Sequence, residues 1–436
     1  MDQNEENNTN IYVLDNILYD IHLYIRVPVD ESNIIRIHSK KLETLGEISF
    51  PLNIKNWYRL IDIKVHNAKT ILEYASSDVP EQLGESNNAM NIEKLRKESE
   101  KWFIKLNRAS LDKDSVHIYL ERSISFKETI KQSLKLGQEY GAVHRICRLK
   151  ADINIEEYSD INTNEMTLTN LRMLILQKVI KNLTQFQLNC NNKTEKLVSF
   201  NLSVQKRNEN EYLCGSVVDT NGTKDVSTLA GDLYKKRATD MRLMAEHKYG
   251  LRTKSSESWN QYFKKLGEAA VTVELLQNKP HKNIKITLND TSSANKGASF
   301  IFYNCARLST LFKEFDKRVV NQVYPELVPL DNIDFSLLNQ PEEWELLYVY
   351  IMQYPQLIKT CIKDVEKGIA NPHYLISFLS NLCSIFSVYY RRIRILVAPK
   401  PHLIPTLHAR IYLLKSLEQI FHKTLQLLDI DPIKEM

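Results

Sequence analysis

Glycine is scarce in this chain. There are 11 in 436 residues, no two are separated by a single residue, and the closest pair is Gly137 and Gly141. Neither a Gly-x-Gly-x-x-Gly turn nor a Walker loop can be assembled from them, so no self-contained nucleotide-phosphate loop is expected. The same scarcity argues against the glycine-rich turn by which Rossmann methyltransferases hold a methyl donor. The six cysteines, Cys147, Cys190, Cys214, Cys305, Cys361 and Cys383, form no Cys-x-x-Cys pair and have no histidine at zinc-ligand spacing. They read as reduced, mostly buried thiols, which suits a cytoplasmic or nuclear protein. No apolar run reaches the ~18 residues of a membrane span. The opening Met-Asp-Gln-Asn-Glu-Glu-Asn-Asn is polar and acidic, unlike a secretory or mitochondrial leader. Gly-x-Ser-x-Gly, His-Glu-x-x-His and Asp-rich metal loops are all missing, so no catalytic residue, cofactor or metal ligand is expected. His144, beside Arg145 and Cys147, reads as an ordinary strand residue without a third partner.

What is present is ordinary globular composition, with 43% hydrophobic and 25% charged residues and a net charge of +5. The length predicts two or three domains with ample core. One further absence is informative: no Asp or Glu lies between Glu366 and Glu418. That gap holds Lys367, Arg391, Arg392, Arg394, Lys400, Arg410 and Lys415, with His373, His402 and His408, and its arginine cluster follows Tyr389 and Tyr390. Cations beside aromatic rings suit RNA, since the cations meet phosphates and the rings stack on unpaired bases. The alternative is a solvated basic helix end, where cations oppose the helix dipole. A second basic region runs from Lys224 to Lys265, with 10 basic residues against five acidic.

Periodicity divides the chain. Residues 1–10 are expected to be disordered, and residues 11–75 to be mixed α/β or helical. Ser76 to Asn91 reads as a polar loop, Ile92 to Leu106 as a helix, and Ser115 to Leu120 as a strand. A helix from Ser125 to Gly137, a strand from Ala142 to Ile153, a helix from Thr169 to Leu183 and strands over Leu197–Val204 and Glu211–Val218 suggest a parallel α/β layer over residues 110–220. Helices follow over Leu229–Tyr249 and Glu257–Leu276, then a strand over Ile284–Leu288. From Phe300 only helices are predicted. Pro341 opens one, and Pro372 opens another with Asn371 as its cap.

Three stretches of the last 137 residues carry a resemblance. Phe302-Tyr303-Asn304-Cys305-Ala306-Arg307-Leu308 is similar to the Tyr-x-x-Ala-Arg-(Ile/Leu) helix of the DALR anticodon-binding domain of arginyl-tRNA synthetases. Asn371-Pro372-His373-Tyr374-Leu375 and Ala409-Arg410-Ile411-Tyr412-Leu413-Leu414 resemble later parts of the same domain. Leu330 to Leu338, followed by Glu343-Trp344, is similar to a non-synthetase branch of that family. Upstream, Thr167-Leu-Thr-Asn-Leu-Arg172 falls where the synthetases carry His-x-Gly-His-Leu-Arg, and only Leu171 and Arg172 match. Thr and Asn donate hydrogen bonds but carry no positive charge for a developing phosphate anion. The region from Cys214 to Asp232 resembles the surroundings of the second ATP signature without its Lys-Ser pattern.

The resemblance implies an α/β, degenerate synthetase-like catalytic domain followed by an all-α DALR anticodon-binding bundle. The expected segments are 1–110 of uncertain fold, 111–299 synthetase-like with a helical connector, and 300–436 DALR. It further implies a non-catalytic protein that recognises arginine tRNA and brings it to a methyltransferase-like enzyme making 3-methylcytosine in the anticodon loop, with neither membrane nor DNA among its partners. An active arginine-tRNA ligase and a protein scaffold without RNA binding are the alternatives. The candidate tRNA-binding residues are Tyr303, Asn304, Arg307, Lys313, Arg391, Arg392, Arg394, Arg410 and Lys415. Tyr303 could equally pack in a core, Arg307 and Arg410 could pair with Glu342 or Glu345, and Trp344 with Tyr348 could be core or a partner-binding patch.

Overall fold

The structure is a computed structural model and describes residues 12–29, 34–61, 68–76, 88–144, 148–155, 162–188, 195–205, 211–249, 257–288 and 294–434. In chain order the elements are α1 (Val13–Tyr24), β1 (Arg36–Ile37), α2 (Leu42–Leu45), β2 (Ile48–Pro51), α3 (Ile71–Ser76), α4 (Asn88–Glu98), β3 (Leu106–Asp112), β4 (Ser115–Leu120) and α5 (Arg122–Leu136). Next come β5 (Arg148–Asn154), α6 (Leu168–Gln185), β6 (Glu195–Ser203), β7 (Glu211–Leu213), β8 (Val217–Val218), α7 (Ala230–Tyr249), α8 (Glu257–Leu276) and β9 (Ile284–Lys285). The rest is helical: α9 (Ala294–Val320), α10 (Pro341–Glu345), α11 (Tyr354–Ile362), α12 (His373–Arg392) and α13 (Ile404–Leu427), with a π-helical turn over Leu346–Met352.

Two compact units form. The first comprises residues 1–135 and 328–352, the second residues 136–327 and 353–436. Both units are built from separate stretches of chain, whereas the segments expected from sequence are consecutive.

In the first unit, β1, β2, β4 and β3 make an antiparallel sheet in that order. Its central strand β4 buries Val116, Ile118 and Leu120. Buried Phe126 of α5 meets Trp344 edge-on at 5.6 Å, and Trp344 stacks on Tyr348 at 5.7 Å. Of the two readings open for that pair, core is the one observed. Glu47 fastens them. Its carboxylate accepts from Trp344 Nε1 at 2.8 Å and from the Leu120 backbone N–H at 2.9 Å, and Tyr348 donates to its carbonyl at 2.6 Å. Burial pushes the Glu47 carboxyl above its usual range despite these donors.

In the second unit β5, β6 and β7 form a parallel sheet with β6 in the centre, and α6 joins β5 to β6 as the crossover helix. The α7–α8 hairpin is closely packed because Gly267 has no side chain. A Cβ there would lie 2.5 Å from the Ala238 backbone nitrogen. Buried Arg237 crosses the hairpin and grips Glu274 with two bonds of 2.8 Å, with Asp240 at 3.2 Å. Gly267→Ala is expected to destabilise the protein by about 1–3 kcal/mol, because the helices must part. A melting temperature equal to or above that of the parent would contradict this packing.

Several expectations need correction. The helix predicted over 92–106 ends at Glu98. Ser99 closes it by donating to the Arg96 carbonyl and accepting from the Leu106 N–H, which starts β3. The predicted loop 76–91 gives way at its ends, since α3 runs through Ser76 and α4 begins at Asn88. The strand predicted over 211–218 splits between two sheets at Gly215, where a Cβ would meet the Lys282 backbone at 2.3 Å. Ser115–Leu120 is a strand as expected, but an antiparallel one. Pro372, not Asn371, caps α12. Residues 1–10 and most of 77–91 lie outside the described residues, as do Arg145, Cys147 and Cys190.

Candidate functional site

The acid-free stretch occupies α12, the loop after it and the first half of α13, and these pack on α9. The α9 sequence places residues 300, 304 and 307 on one helical stripe. Asn304 is fully buried there. Its Nδ2 donates to the Phe300 carbonyl at 2.8 Å, and its Oδ1 accepts from Ser387 of α12 at 2.9 Å. Asn304 therefore ties two helices together and presents nothing to a ligand, which removes it from the expected contact set.

One residue before Asn304 and three after it, the side chains change character. Arg307 donates to the Tyr303 hydroxyl at 2.7 Å, and its guanidinium lies 4.3 Å from the Tyr303 ring centre and 4.8 Å from that of Tyr390. Tyr303 and Arg307 are half-buried, and Tyr390 is 39% exposed. A guanidinium held between two rings is fixed in orientation. This arrangement, rather than a salt bridge to Glu342 or Glu345, is what holds Arg307. Tyr390 was not among the candidate contacts, although its place before the arginine cluster was a usable signal. Its neighbour Tyr389 is fully buried and has no face to offer a base.

The remaining candidates are distributed along the bundle. Arg391 and Arg392 end α12 and are exposed, where they also oppose the helix dipole. Exposed Arg394 and Lys400 lie on the following loop. Tyr324 pins that loop by donating to the Val397 carbonyl at 2.5 Å while accepting from Arg318 at 2.9 Å. Lys313 is exposed on α9, six residues beyond Arg307 and so ~9 Å along the axis. Arg410 and Lys415 are half-exposed on α13. Lys415 faces Glu418, whose carboxyl burial pushes up while Ser309 of α9 donates to it at 3.0 Å.

Two of the three histidines in the gap add no charge. His373 and His408 are buried, and burial lowers the pKa of each. His402 is exposed. The free cysteines Cys214, Cys305, Cys361 and Cys383 are all buried, and burial raises the Cys214 and Cys305 thiols to about 11 and about 12. Such thiols are poor nucleophiles.

The stretch Thr167 to Arg172 forms the start of α6 and is tied into the fold. Thr167 caps the helix by accepting from the Asn170 N–H, and buried Thr169 accepts from the Val217 N–H at 3.0 Å. Arg172 is completely buried and donates to four carbonyls: Leu275 at 3.0 Å, Gly215 at 2.6 Å, Lys282 at 2.7 Å and Lys279 at 3.4 Å. Burial alone disfavours its charge, and the carbonyls compensate. Among the described residues no group of three or more His, Cys, Asp or Glu could hold a metal ion, and no helix is long and apolar enough to cross a membrane.

A helical bundle with buried apolar stripes and a ring-clamped arginine at its surface is an α-helical recognition module. Residues 301–436 match the family model of the DALR anticodon binding domain. The chain is also similar to the zebrafish (Danio rerio) protein named DALR anticodon-binding domain-containing protein 3, at 29% identity over 234 residues, or 51% of this chain and 41% of that protein. The chain thus spans under half the length of the relatives it matches. The arginine–tRNA ligase of Borrelia hermsii is 27% identical over 168 residues, covering 38% of this chain and 26% of the ligase. Among solved structures, the Thermus thermophilus arginyl-tRNA synthetase matches 66% of this chain and 41% of its own, with a TM-score of 0.39 and 13% identity. An α/β part followed by a DALR bundle is the fold class expected from the sequence.

Proposed function

We propose that this chain is a non-catalytic tRNA-binding adaptor. It recognises arginine tRNAs through its DALR bundle and brings them, in the cytoplasm, to a methyltransferase-like enzyme that forms 3-methylcytosine in the anticodon loop. The observation that carries the RNA-binding reading is Arg307 clamped between Tyr303 and exposed Tyr390, directly beside Arg391, Arg392 and Arg394. The exposed Tyr390 ring gives an unpaired base a stacking partner, and the arginines meet its phosphates. The adaptor reading adds a physical reason for two proteins. Anticodon loops look alike to a small catalytic domain, and a tethered reader raises the local concentration of the selected tRNA.

The absence of ligase activity belongs to the same proposal. It rests on Thr167, Thr169 and Asn170 standing where two histidines and a glycine are required, and on the use of Thr167 and Thr169 as structural acceptors. The purified chain is expected to give no arginine-dependent ATP–pyrophosphate exchange. Measurable exchange would replace the adaptor with an active ligase. In cells lacking the protein, arginine tRNAs are expected to lose 3-methylcytosine while other tRNAs bearing the mark keep it. Full modification of arginine tRNAs in those cells would leave only the scaffold reading. Arg307→Ala is expected to reproduce the selective loss with a melting temperature close to that of the parent. A general collapse of stability would instead mark Arg307 as a packing residue.

A further inference from the structure

Several basic side chains outside the bundle have no role in the site described so far. Lys279, His281 and Lys282 lie on the turn after α8, Lys285 on β9 and Lys224 beside β8, and all are exposed. Val218 pairs with Lys285 on one side and with Lys224 on the other. The two lysines therefore flank one strand about 10 Å apart, on the same face. The turn itself is rigidly held, because Arg172 grips the carbonyls of Lys279 and Lys282 from within.

The contrast with α7 is instructive. There three basic residues meet carboxylates of the fold: Lys236 meets Asp240, buried Arg237 meets Glu274 and Asp240, and Arg242 meets Glu246. Among the described residues, Lys224, Lys279, Lys282 and Lys285 have no carboxylate partner; Lys285 donates only to the Thr220 carbonyl. The nearby Asp219 is occupied by the backbone N–H groups of Asn221 and Thr223. Four lysines on a fixed scaffold with no internal counter-charge suit an external polyanion.

The position of this patch identifies the polyanion. α8 packs against α12, and Lys279 and His281 on the turn after α8 lie near His373. His373 opens α12, and Arg391 and Arg392 close it. A helix of 20 residues is ~30 Å long, so the two basic groups lie at opposite ends of a ~30 Å span. An anticodon loop with its short stem, held at Tyr390, falls short of that distance, whereas the helix stacked beyond that stem in a whole tRNA reaches it.

We infer that Lys224, Lys279, Lys282 and Lys285 form a second RNA-binding surface, which takes the phosphate backbone of a duplex stem while the far end of α12 holds the unpaired loop of the same RNA. The inference rests on the tRNA-binding reading above. The patch positions the RNA and reads no sequence, since its contacts go to phosphate.

The test uses the full chain with two RNAs, a whole arginine tRNA and its isolated anticodon stem-loop, each titrated across a range of KCl. In K224Q/K279Q/K282Q/K285Q, tRNA affinity is expected to fall at least about tenfold at moderate salt, with a slope of log affinity against log salt that is shallower by about 3. Affinity for the isolated stem-loop is expected to stay unchanged. The matching Lys→Arg quadruple variant, which keeps the charge, is expected to bind tRNA as the parent does. A glutamine variant whose tRNA curve overlays that of the parent would overturn the second surface and leave the first intact. An equal loss for tRNA and stem-loop would also overturn it, because the lysines would then belong to the loop site. Failure of the unaltered chain to bind either RNA would defeat the tRNA reading itself.

Discussion

Arg172→Ala is expected to cost about 3–5 kcal/mol of stability, the largest effect of any single substitution considered. The guanidinium is fully buried and supplies the donors for the carbonyls of Gly215, Leu275, Lys279 and Lys282. Its removal leaves four acceptors in a site without protein donors and opens a cavity of side-chain size. Arg172→Met separates the two contributions, since it restores much of the volume and none of the hydrogen bonds. Arg172→Lys retains the charge but loses the planar fork, so it is expected to fall between the parent and Met. Urea unfolding of the three variants provides the measurement. An alanine variant within 1 kcal/mol of the parent would mean that the carbonyls find other donors, water included.

The second large effect is on RNA. Changing Arg391, Arg392 and Arg394 together to alanine is expected to weaken tRNA binding by roughly 1 kcal/mol per phosphate contact, about 10²-fold in all, and to flatten the salt dependence. All three side chains are exposed, so the fold is expected to survive. Folding is checked by circular dichroism and affinity by titration at several salt concentrations. A folded triple variant with the parent slope would move the RNA site to another face.

Periodicity made the long helices legible. The helix read over Glu257–Leu276 has those bounds in the structure, because a continuous apolar stripe with few breakers signals its own ends. Short elements were less legible. The Glu211–Val218 run is uniformly β-like, and only the close approach of Gly215 to the Lys282 backbone splits it. The same limit applied to the candidate site. Motif similarity led to Tyr303 and Arg307 but could not show that Asn304 faces Ser387, since one helical turn separates a contact residue from a buried tie. Charge counting overstated the basic gap, because a histidine counts only when it is exposed enough to be protonated, and His373 and His408 are not. The clamp on Arg307 was out of reach of local sequence, as Tyr390 lies 83 residues away on another helix.

The stitching of Trp344 and Tyr348 to Glu47 has a consequence for synthesis. These contacts join residues about 300 positions apart, and residues 136–327 are made between the two halves of the first unit. On a ribosome adding ~5–20 residues per second, the nascent 12–135 segment waits on the order of ten seconds or more for the strip that seals it. Until then the carboxylate of Glu47 lacks its indole donor, and Phe126 lacks the ring of Trp344. The protein must therefore be guarded while half made. Excising 301–436 as a free-standing fragment would create the complementary problem, a strip of Trp344, Leu347 and Tyr348 with nowhere to go.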